Sequence, residues 1–363
     1  MIETVLINDN VVKNALQLFL EEHEVVTLRE VAERAGVSIK TVSRIVNGDP
    51  AVNAKTRDSV QVYLQNLNYI PNRAARLMRG GQSSVYGLMT DAVATTPYSV
   101  DIVRGAQAAM KEQNQILLIA NSNGDAKQEA EFWRMFQAQR VSGVIYASVY
   151  HRPQDVGRPA FKNAIILANC FACKSDRPSL VPDDEGGGYT QAEYLLKRGH
   201  RRTGLLTLNP QIDATRLRGI GIRCAFRDAG FSFDESLDQP GVVGSLNNEK
   251  MVAFEAAVKM LSQKNRPTAI ICGNDQVALQ VYSAAAHLDL HVPQDLSIMG
   301  FDDLTVISEN LRPSLTTVAL PYFEIGKRAV ELMRESKNQD EGWAPKTLVP
   351  CPLIERESCR TLN

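Results

Sequence analysis

The sequence has no apolar run approaching the ~20 residues that a membrane-spanning helix requires. Its apolar runs, such as those at 164–168 and 204–208, reach only a strand's length. The N-terminus, Met1-Ile2-Glu3-Thr4, lacks the basic start, apolar stretch and small-residue cleavage site of a secretory signal. No membrane partner is expected, and a cytoplasmic location is. The six cysteines, Cys170, Cys173, Cys224, Cys272, Cys351 and Cys359, follow no regular framework, which excludes a disulfide scaffold and favours a reducing compartment. Cys170-Phe171-Ala172-Cys173 is a C-x-x-C, but no second pair supplies two more zinc ligands. It also follows a strand, where a redox pair would open a helix. The five histidines, His23, His151, His200, His287 and His291, form neither an H-E-x-x-H nor a triad pattern. His200, in Arg198-Gly199-His200-Arg201, reads as a helix-end residue. No G-x-x-x-x-G-K-[ST] occurs, and Gly186-Gly187-Gly188 lacks the remaining spacing of a dinucleotide fingerprint. Those glycines are read as letting a helix start close to a strand. No metal site, no cofactor and no catalytic residue is expected, and the chain does not read as an enzyme.

What is present is the composition of a soluble globular protein, 44% apolar and 22% charged, which excludes a mainly disordered or collagen-like chain. A length of 363 residues suits about two to three domains and a core that needs no covalent staples. The net charge of −1 hides an uneven distribution. Residues 1–26 carry one Lys against five acids, whereas residues 27–82 carry nine Lys and Arg against four acids. A small basic segment on a near-neutral body is the footprint of a nucleic-acid-binding module. On charge alone, a solvated basic face is the alternative.

The pattern within the segment fits such a module, with a generic αα-hairpin bearing a polar face as its plain alternative. Thr27-Leu28-Arg29-Glu30 is a capping box that starts a helix with Leu28, Val31, Ala32 and Ala35 on one face, and Gly36 ends it. Ser38 caps a second helix, 39–47, with Val42, Ile45 and Val46 inward. Two short helices joined by a tight turn containing Gly form a helix-turn-helix. Asn53 caps a third helix, 54–66, with Val60, Tyr63, Leu64 and Leu67 as its stripe. The outward face of the second helix carries Ile39, Lys40, Thr41, Ser43 and Arg44. Lys40 and Arg44 are one turn apart and can reach base edges together.

The stretch VTLREVAERAGVSIKTVSRIVNG, with VNAKTRDSVQVYLQNLNYIPNRAARLMRGGQSSVYGL after it, resembles the DNA-binding headpiece of the LacI/GalR (lactose-repressor) family, without gaps from Val26 to about Leu88. The resemblance implies a recognition helix at 38–47, begun by Ser38. Ile39, Lys40 and Arg44 would read bases, and Thr41, Ser43, Asn47 and Asn53 would hold phosphates. It also implies a hinge helix at 70–82, which Pro71 opens and Gly80-Gly81 close. Two turns are too short to be stable alone. Such a hinge forms on operator DNA, beside that of a dimer mate, and wedges an apolar side chain into the minor groove. Met78 stands at the wedge position with Leu77 beside it, leaving either to insert, and Arg73 is among the hinge's DNA contacts. Residues 1–26 lie outside the resemblance. Val11, Val12, Ala15, Leu16, Phe19 and Leu20 have helical spacing, which fits an extra amphipathic helix, a flexible arm or a start codon placed too early.

From Val85 onward, apolar strands (85–89, 115–120, 143–147, 164–168, 203–208, 269–272, 297–301) alternate with helices (100–113, 127–138, 188–198, 217–229, 250–263, 276–288). That alternation predicts parallel sheets covered on both faces, enough for two lobes with a cleft at the carboxyl ends of the strands. Arg216 and Arg218 fall at a loop-to-helix junction, while Asn274-Asp275 and Asp302-Asp303 each follow a strand. An arginine fork with carboxylates and an amide suits the bidentate hydrogen bonding of sugar hydroxyls. Helix capping by Asp275 and simple exposure of Arg216 are the plain alternatives. The family resemblance implies an effector pocket that takes Arg218 rather than Arg216, together with Asn274, Asp275 and Asp302. Tyr98 and Ser99 would sit at the lip of the first lobe. Asn169 stands where the family often has an acid, and Asn248 near a position where some members stack an aromatic ring.

The expected fold is thus an all-α helix-turn-helix headpiece (27–69), a hinge (70–82) and a two-lobed α/β effector-binding and dimerisation domain (83–363), related to periplasmic binding proteins. The expected function is a transcriptional regulator, a repressor of a carbohydrate-utilisation operon. It would bind a palindromic double-stranded operator as a homodimer and respond allosterically to a sugar or sugar derivative in the cleft. A transport sugar-binding protein would need a signal peptide and no headpiece, and an enzyme on a nucleotide-binding fold would need a catalytic constellation.

Overall fold

Three helices open the described chain: α1 (Leu28–Ala35), α2 (Ile39–Val46) and α3 (Ala54–Asn66). The capping box forms as the sequence predicts. Thr27 Oγ1 accepts from the Glu30 N–H at 3.3 Å, and the Glu30 carboxylate accepts from the Thr27 N–H at 3.0 Å. Gly36 ends α1 at φ +65°, a left-handed turn that costs glycine little. Val31, Ala32, Val42, Ile45 and Val60 meet in one small core, ringed by Leu28, Val52, Tyr63 and Leu64. The structure, a computed structural model, describes residues 26–46, 48–69, 84–91, 97–111, 113, 115–154, 156, 161, 163–172, 177–246, 248–335 and 346–362, with the main chain alone at 97–99. The hinge at 70–82 with Arg73, Leu77 and Met78, the residues 1–25, and Asn47 and Cys173 lie outside the described residues.

The chain divides into two units, Met1–Gln82 and Ser83–Asn363. The second runs β1 (Val85–Thr90), α4 (Pro97–Lys111), β2 (Ile116–Asn121), α5 (Ala126–Ala138), β3 (Gly143–Pro153), β4 (Ala164–Phe171), β5 (Ser179–Pro182), α6 (Asp184–Lys197), β6 (Thr203–Thr207), α7 (Asp213–Asp228), β7 (Asp238–Pro240), β8 (Val242–Ser245), β9 (Asn248–Met251), α8 (Ala253–Leu261), β10 (Ala269–Cys272), α9 (Asp275–His287), β11 (Ser297–Asp302), α10 (Thr305–Ser308), β12 (Thr316–Ala319), α11 (Tyr322–Glu335), β13 (Thr347–Val349) and β14 (Leu353–Ile354). One sheet has the order β13-β5-β4-β3-β1-β2, the other β14-β12-β11-β10-β6-β7. Both are parallel except that β14 runs antiparallel to β12. Strands such as β10, Ala-Ile-Ile-Cys, are buried throughout, as expected where helices cover both faces. In each sheet the order reverses beside the first strand of its lobe, at β1/β3 and at β6/β10. A crevice opens at such switch points, at the carboxyl ends of the strands.

Several boundaries differ from the sequence reading, and the differences bear on the cleft. Helix α7 begins at Asp213, so Arg216 and Arg218 lie inside it rather than at its start. An acid in the first turn favours that earlier start through the helix dipole. Residues 248–251 form a strand of a two-stranded hairpin, not the first turn of a helix. Gly186-Gly187-Gly188 lie within α6, whose N-cap Asp183 accepts from the Gly186 N–H. Their role is helix–helix as well as helix–strand packing. A Cβ at Gly188 would stand 2.2 Å from the Arg218 carbonyl oxygen, and one at Gly221 1.9 Å from that of Glu185. Only glycine allows α6 and α7 to come this close, and their contact fixes Asp184 against Arg218.

Candidate functional site

In the first unit, the outward face of α2 presents Ile39, Lys40 and Arg44, all exposed, with Thr41 and Ser43 half-buried. Ser38 caps the helix, its Oγ accepting from the Thr41 N–H at 3.1 Å and lying 2.9 Å from Thr41 Oγ1. Arg44 Nε lies 3.3 Å from an Asp49 carboxylate oxygen. Both partners are part-exposed, and such a pair contributes only about 0–1 kcal/mol, so it leaves Arg44 able to turn to another acceptor. Ile39, at 45% exposure, is a large apolar side chain in water. Asn53 caps α3, its Oδ1 accepting from the Lys55 N–H at 2.9 Å. The Arg57 guanidinium bonds the Asp49 and Val52 carbonyls and pins the turn before α3.

In the second unit, a cavity of about 400 Å³ lies at the carboxyl ends of both sheets, within the range of small-molecule sites. Arg218 reaches it from α7 and is buried. Its Nε donates to Asp184 Oδ1 at 2.7 Å, its Nη1 donates to the Gly273 carbonyl at 2.5 Å, and its guanidinium stacks on Phe301 at 3.5 Å. The Asp302 carboxylate, 3.8 Å from Nη1, completes the surroundings. Asp184 also meets His151 Nδ1 at 2.6 Å. Burial works to raise the Asp184 carboxyl, but Arg218 and His151 together outweigh it and hold the group below the usual carboxylate range. Burial pushes Asp302 well above that range against the pull of Arg218, with Asp275 and Asp184 adding to the rise. Asn169 and Asp302 both have positive φ, +56° and +111°. Two such non-glycine residues lining one cavity, one from each sheet, mark strain of the kind that collects at functional sites.

The structure brings Asn169, Arg218, Asn274 and Asp302 to the cavity and leaves Asp275 and Asn248 out of its lining. Asn274 is the N-cap of α9, with Oδ1 accepting from the Val277 N–H at 2.8 Å. Asp275, the next residue, turns beneath it, where its carboxylate accepts from Thr317 Oγ1 and the Leu304 N–H, both at 2.7 Å. That buried carboxyl is raised to about 7 by desolvation, which the two donors only partly offset. Asn248 is exposed on β9. Alternate strand residues face opposite ways, so its neighbours Glu249 and Met251 line the cavity instead. Arg216 is exposed, pairs with Asp213 at 3.5 Å, and lines a different groove. The side chains of Tyr98 and Ser99, at the start of α4, lie outside the described residues. Cys170, the described half of the C-x-x-C, is buried in β4, and desolvation pushes its thiol well up.

Sequence reasoning missed His151, Asp184, Tyr150, Asn209, Glu249 and Tyr322, all of which line the cavity. His151 and Tyr150 end a strand, a position that the strand-end argument applied elsewhere could have flagged. Glu249 accepts from Asn209 Nδ2 at 3.0 Å and from Tyr150 OH at 3.4 Å. The latter bond joins β3 of one lobe to the β8–β9 hairpin of the other. Among the described residues no group of His, Cys, Asp and Glu could hold a metal ion, and no helix is long and apolar enough to cross a membrane.

A helix-turn-helix unit followed by a two-lobed α/β unit with a cleft at its strand ends defines a class, the DNA-binding regulators built on a periplasmic-binding-protein-like domain. The model of the bacterial regulatory proteins of the lacI family matches residues 27–72, and that of the periplasmic binding protein-like domain matches residues 192–359. The sucrose operon repressor of Escherichia coli is 34% identical over 334 residues, covering 91% of this chain and 98% of its own. Among solved structures, a LacI-family transcriptional regulator from Rhizobium etli is 39% identical with a TM-score of 0.73, over 77% of this chain and 100% of that one. The Lac repressor dimer bound to operator and an anti-inducer is 27% identical with a TM-score of 0.73, over 93% of this chain and 100% of that one. The chain belongs to the lacI family. It is a DNA-binding transcriptional regulator and not an enzyme.

Proposed function

We propose that this regulator is a repressor of a sugar-utilisation operon, acting in the cytoplasm as a homodimer on a palindromic operator, and that a neutral sugar or sugar derivative in the cleft controls its grip on DNA. The cavity's charge pattern carries the reading. Arg218, the arginine among the described lining residues, is already paired with Asp184 and bonded to a carbonyl, while Asp302, Glu249, Asn169, Asn209 and Asn274 add carboxyl groups and amides. Among the described residues lining the cavity no cation is left uncompensated to meet a phosphate or carboxylate, whereas hydroxyls can both donate to carboxylates and accept from an arginine fork. The resemblance to a sucrose operon repressor supports the same class.

In this reading α2 enters the major groove, Ile39, Lys40 and Arg44 read base edges, and Ser38, Thr41, Ser43, Asn47 and Asn53 set the register on phosphates. Arg73 and Leu77 or Met78 act in the minor groove. Two headpieces related by a twofold axis read two half-sites. Effector shifts the lobes and thereby the hinge, a coupling between two distinct sites. Arg218, Asn169, Asn274 and Asp302 hold the effector, and Tyr98 and Ser99 approach it from the first lobe. The test selects bound sequences from a random DNA pool, then measures binding to them with and without a panel of neutral sugars. Recovery of a palindrome whose binding one sugar changes is expected. Recovery of no preferred sequence, or of one insensitive to every sugar, overturns the proposal.

A further inference from the structure

Two polar atoms in the cavity wall lack a partner. His151 Nε2 and Asn169 Oδ1 are buried and bonded to no described residue. His151 is 4% exposed and Asn169 1%, and both line the cavity. Each sits one residue before the Arg152–Cys170 pair that joins the parallel strands β3 and β4 beyond a shift in their register, so the two come from adjacent strands at the same end of the sheet. Buried polar atoms are nearly always satisfied, and two orphans on residues that line one cavity point to an occupant.

The structure fixes what each atom offers. The Asp184 carboxylate, ionised beside Arg218, can only accept, so His151 Nδ1 carries the proton of their 2.6 Å bond. In the neutral ring Nε2 is then an acceptor. Asn169 Nδ2 donates to the carbonyls of Ser148 at 2.9 Å and Val149 at 3.0 Å, and approaches Tyr322 OH at 3.3 Å. Flipping the amide would set its oxygen against two carbonyl oxygens, so Oδ1 is the unpartnered atom, and it only accepts. Ionised phosphate and carboxylate oxygens cannot donate to such a pair, but hydroxyls can.

We infer that His151 Nε2 and Asn169 Oδ1 form a specificity subsite that accepts hydrogen bonds from two hydroxyl groups of a neutral polyol. The inference rests on the cleft being the effector site. His151 and Asn169 are binding residues, and Asp184 is a positioning residue that sets the ring's tautomer while itself held by Arg218. A sugar lacking one of the two hydroxyls leaves its acceptor buried and unpaired, which is how a site built on hydrogen bonds rejects a deoxy analogue.

The experiment uses the full-length chain. Thermal shift and calorimetry with sucrose, D-ribose, D-glucose, D-fructose and D-glucose 6-phosphate find the tightest neutral binder, and its singly deoxygenated analogues are then titrated. In the wild type, two deoxy sugars should bind at least tenfold more weakly than the parent. His151→Phe should weaken the parent at least tenfold and abolish discrimination against one of those two while keeping it against the other. His151→Gln, which restores a polar atom, should recover part of the discrimination. The wild-type deoxy series needs no variant to fold and by itself refutes the subsite if no pair of hydroxyls matters. Equal weakening of the parent and all analogues in His151→Phe overturns the inference and leaves the cleft as the effector site. Binding of no neutral sugar, or of D-glucose 6-phosphate alone, overturns the polyol class. Sugar binding unchanged in Arg218→Lys shows instead that the sugar sits elsewhere, and the cleft reading falls.

Discussion

Replacing Arg218 by Met removes the guanidinium bonded to Asp184 in the cleft wall and leaves a carboxylate, 1% exposed, that keeps His151 as its hydrogen-bond partner. Breaking one side of a buried ion pair costs about 3–5 kcal/mol, whereas replacing both sides by neutral groups is often nearly free. A domain's total stability is only about 5–15 kcal/mol, so Arg218→Met should unfold at a much lower urea midpoint than the wild type. Adding Asp184→Asn should return about 0.5–3 kcal/mol, the range seen for residues in contact. The pH dependence gives a second handle. In the wild type the Asp184 carboxyl lies below its ordinary value, so its contribution is present above that value and is lost as pH falls through the folded one. Without Arg218, burial raises the carboxyl instead, and the deficit of Arg218→Met should shrink between pH 8 and pH 5. Urea titrations followed by circular dichroism at the two pH values measure both effects. Additive costs in the double variant, or a deficit that does not change with pH, would refute the argument that Arg218 compensates a buried charge.

Two further outcomes concern other parts of the chain. Arg44→Ala should weaken operator binding by about 1–3 kcal/mol and relax preference at one position per half-site; fluorescence anisotropy on single-base operator variants checks it, and unchanged affinity and preference would remove α2 from the major groove. Asp275 has its carboxyl raised to about 7 by burial. A raised acid contributes stability below its unfolded value, near 4, and loses it as pH rises through 7. At about 1.4 kcal/mol per unit, Asp275→Asn should therefore gain up to about 4 kcal/mol over the wild type at pH 8 relative to pH 4, read from melting temperatures at both.

The headpiece was legible because every signal in it is local. A capping box, a glycine stop and a three-helix stripe need no knowledge of distant residues, and all three form where the sequence places them. The parallel sheets were legible for the same reason in β1, β3, β4, β6, β10 and β11, whose apolar runs are continuous. The short strands β5, β7, β12, β13 and β14 carry two to four residues each, too few for a pattern. Helix α11 was missed although Tyr322, Ile325, Ala329, Val330 and Met333 repeat at helical spacing, a signal present and not read. The cleft divides similarly. Asn274 and Asp302 follow from position at strand ends and Arg218 from the family resemblance, but the facing of Asn248 depends on a hairpin register that one residue reverses. His151 and Asp184 come together only through tertiary contact, 33 positions apart, and the packing that holds Asp184 in place rests on glycines in two helices, a pairing no single segment reveals.

The central claim is that a ligand in the cleft of the second unit governs DNA binding by the first. Operator affinity of the full-length chain, measured by anisotropy with and without the sugar that most raises its melting temperature, tests it in the wild type and in Arg218→Lys. The lysine keeps a positive charge beside Asp184 but cannot reproduce a planar fork. Sugar should change wild-type operator affinity at least tenfold and leave that of Arg218→Lys nearly unchanged, with both proteins binding operator equally in its absence. An equal response to sugar in the two proteins would contradict the account.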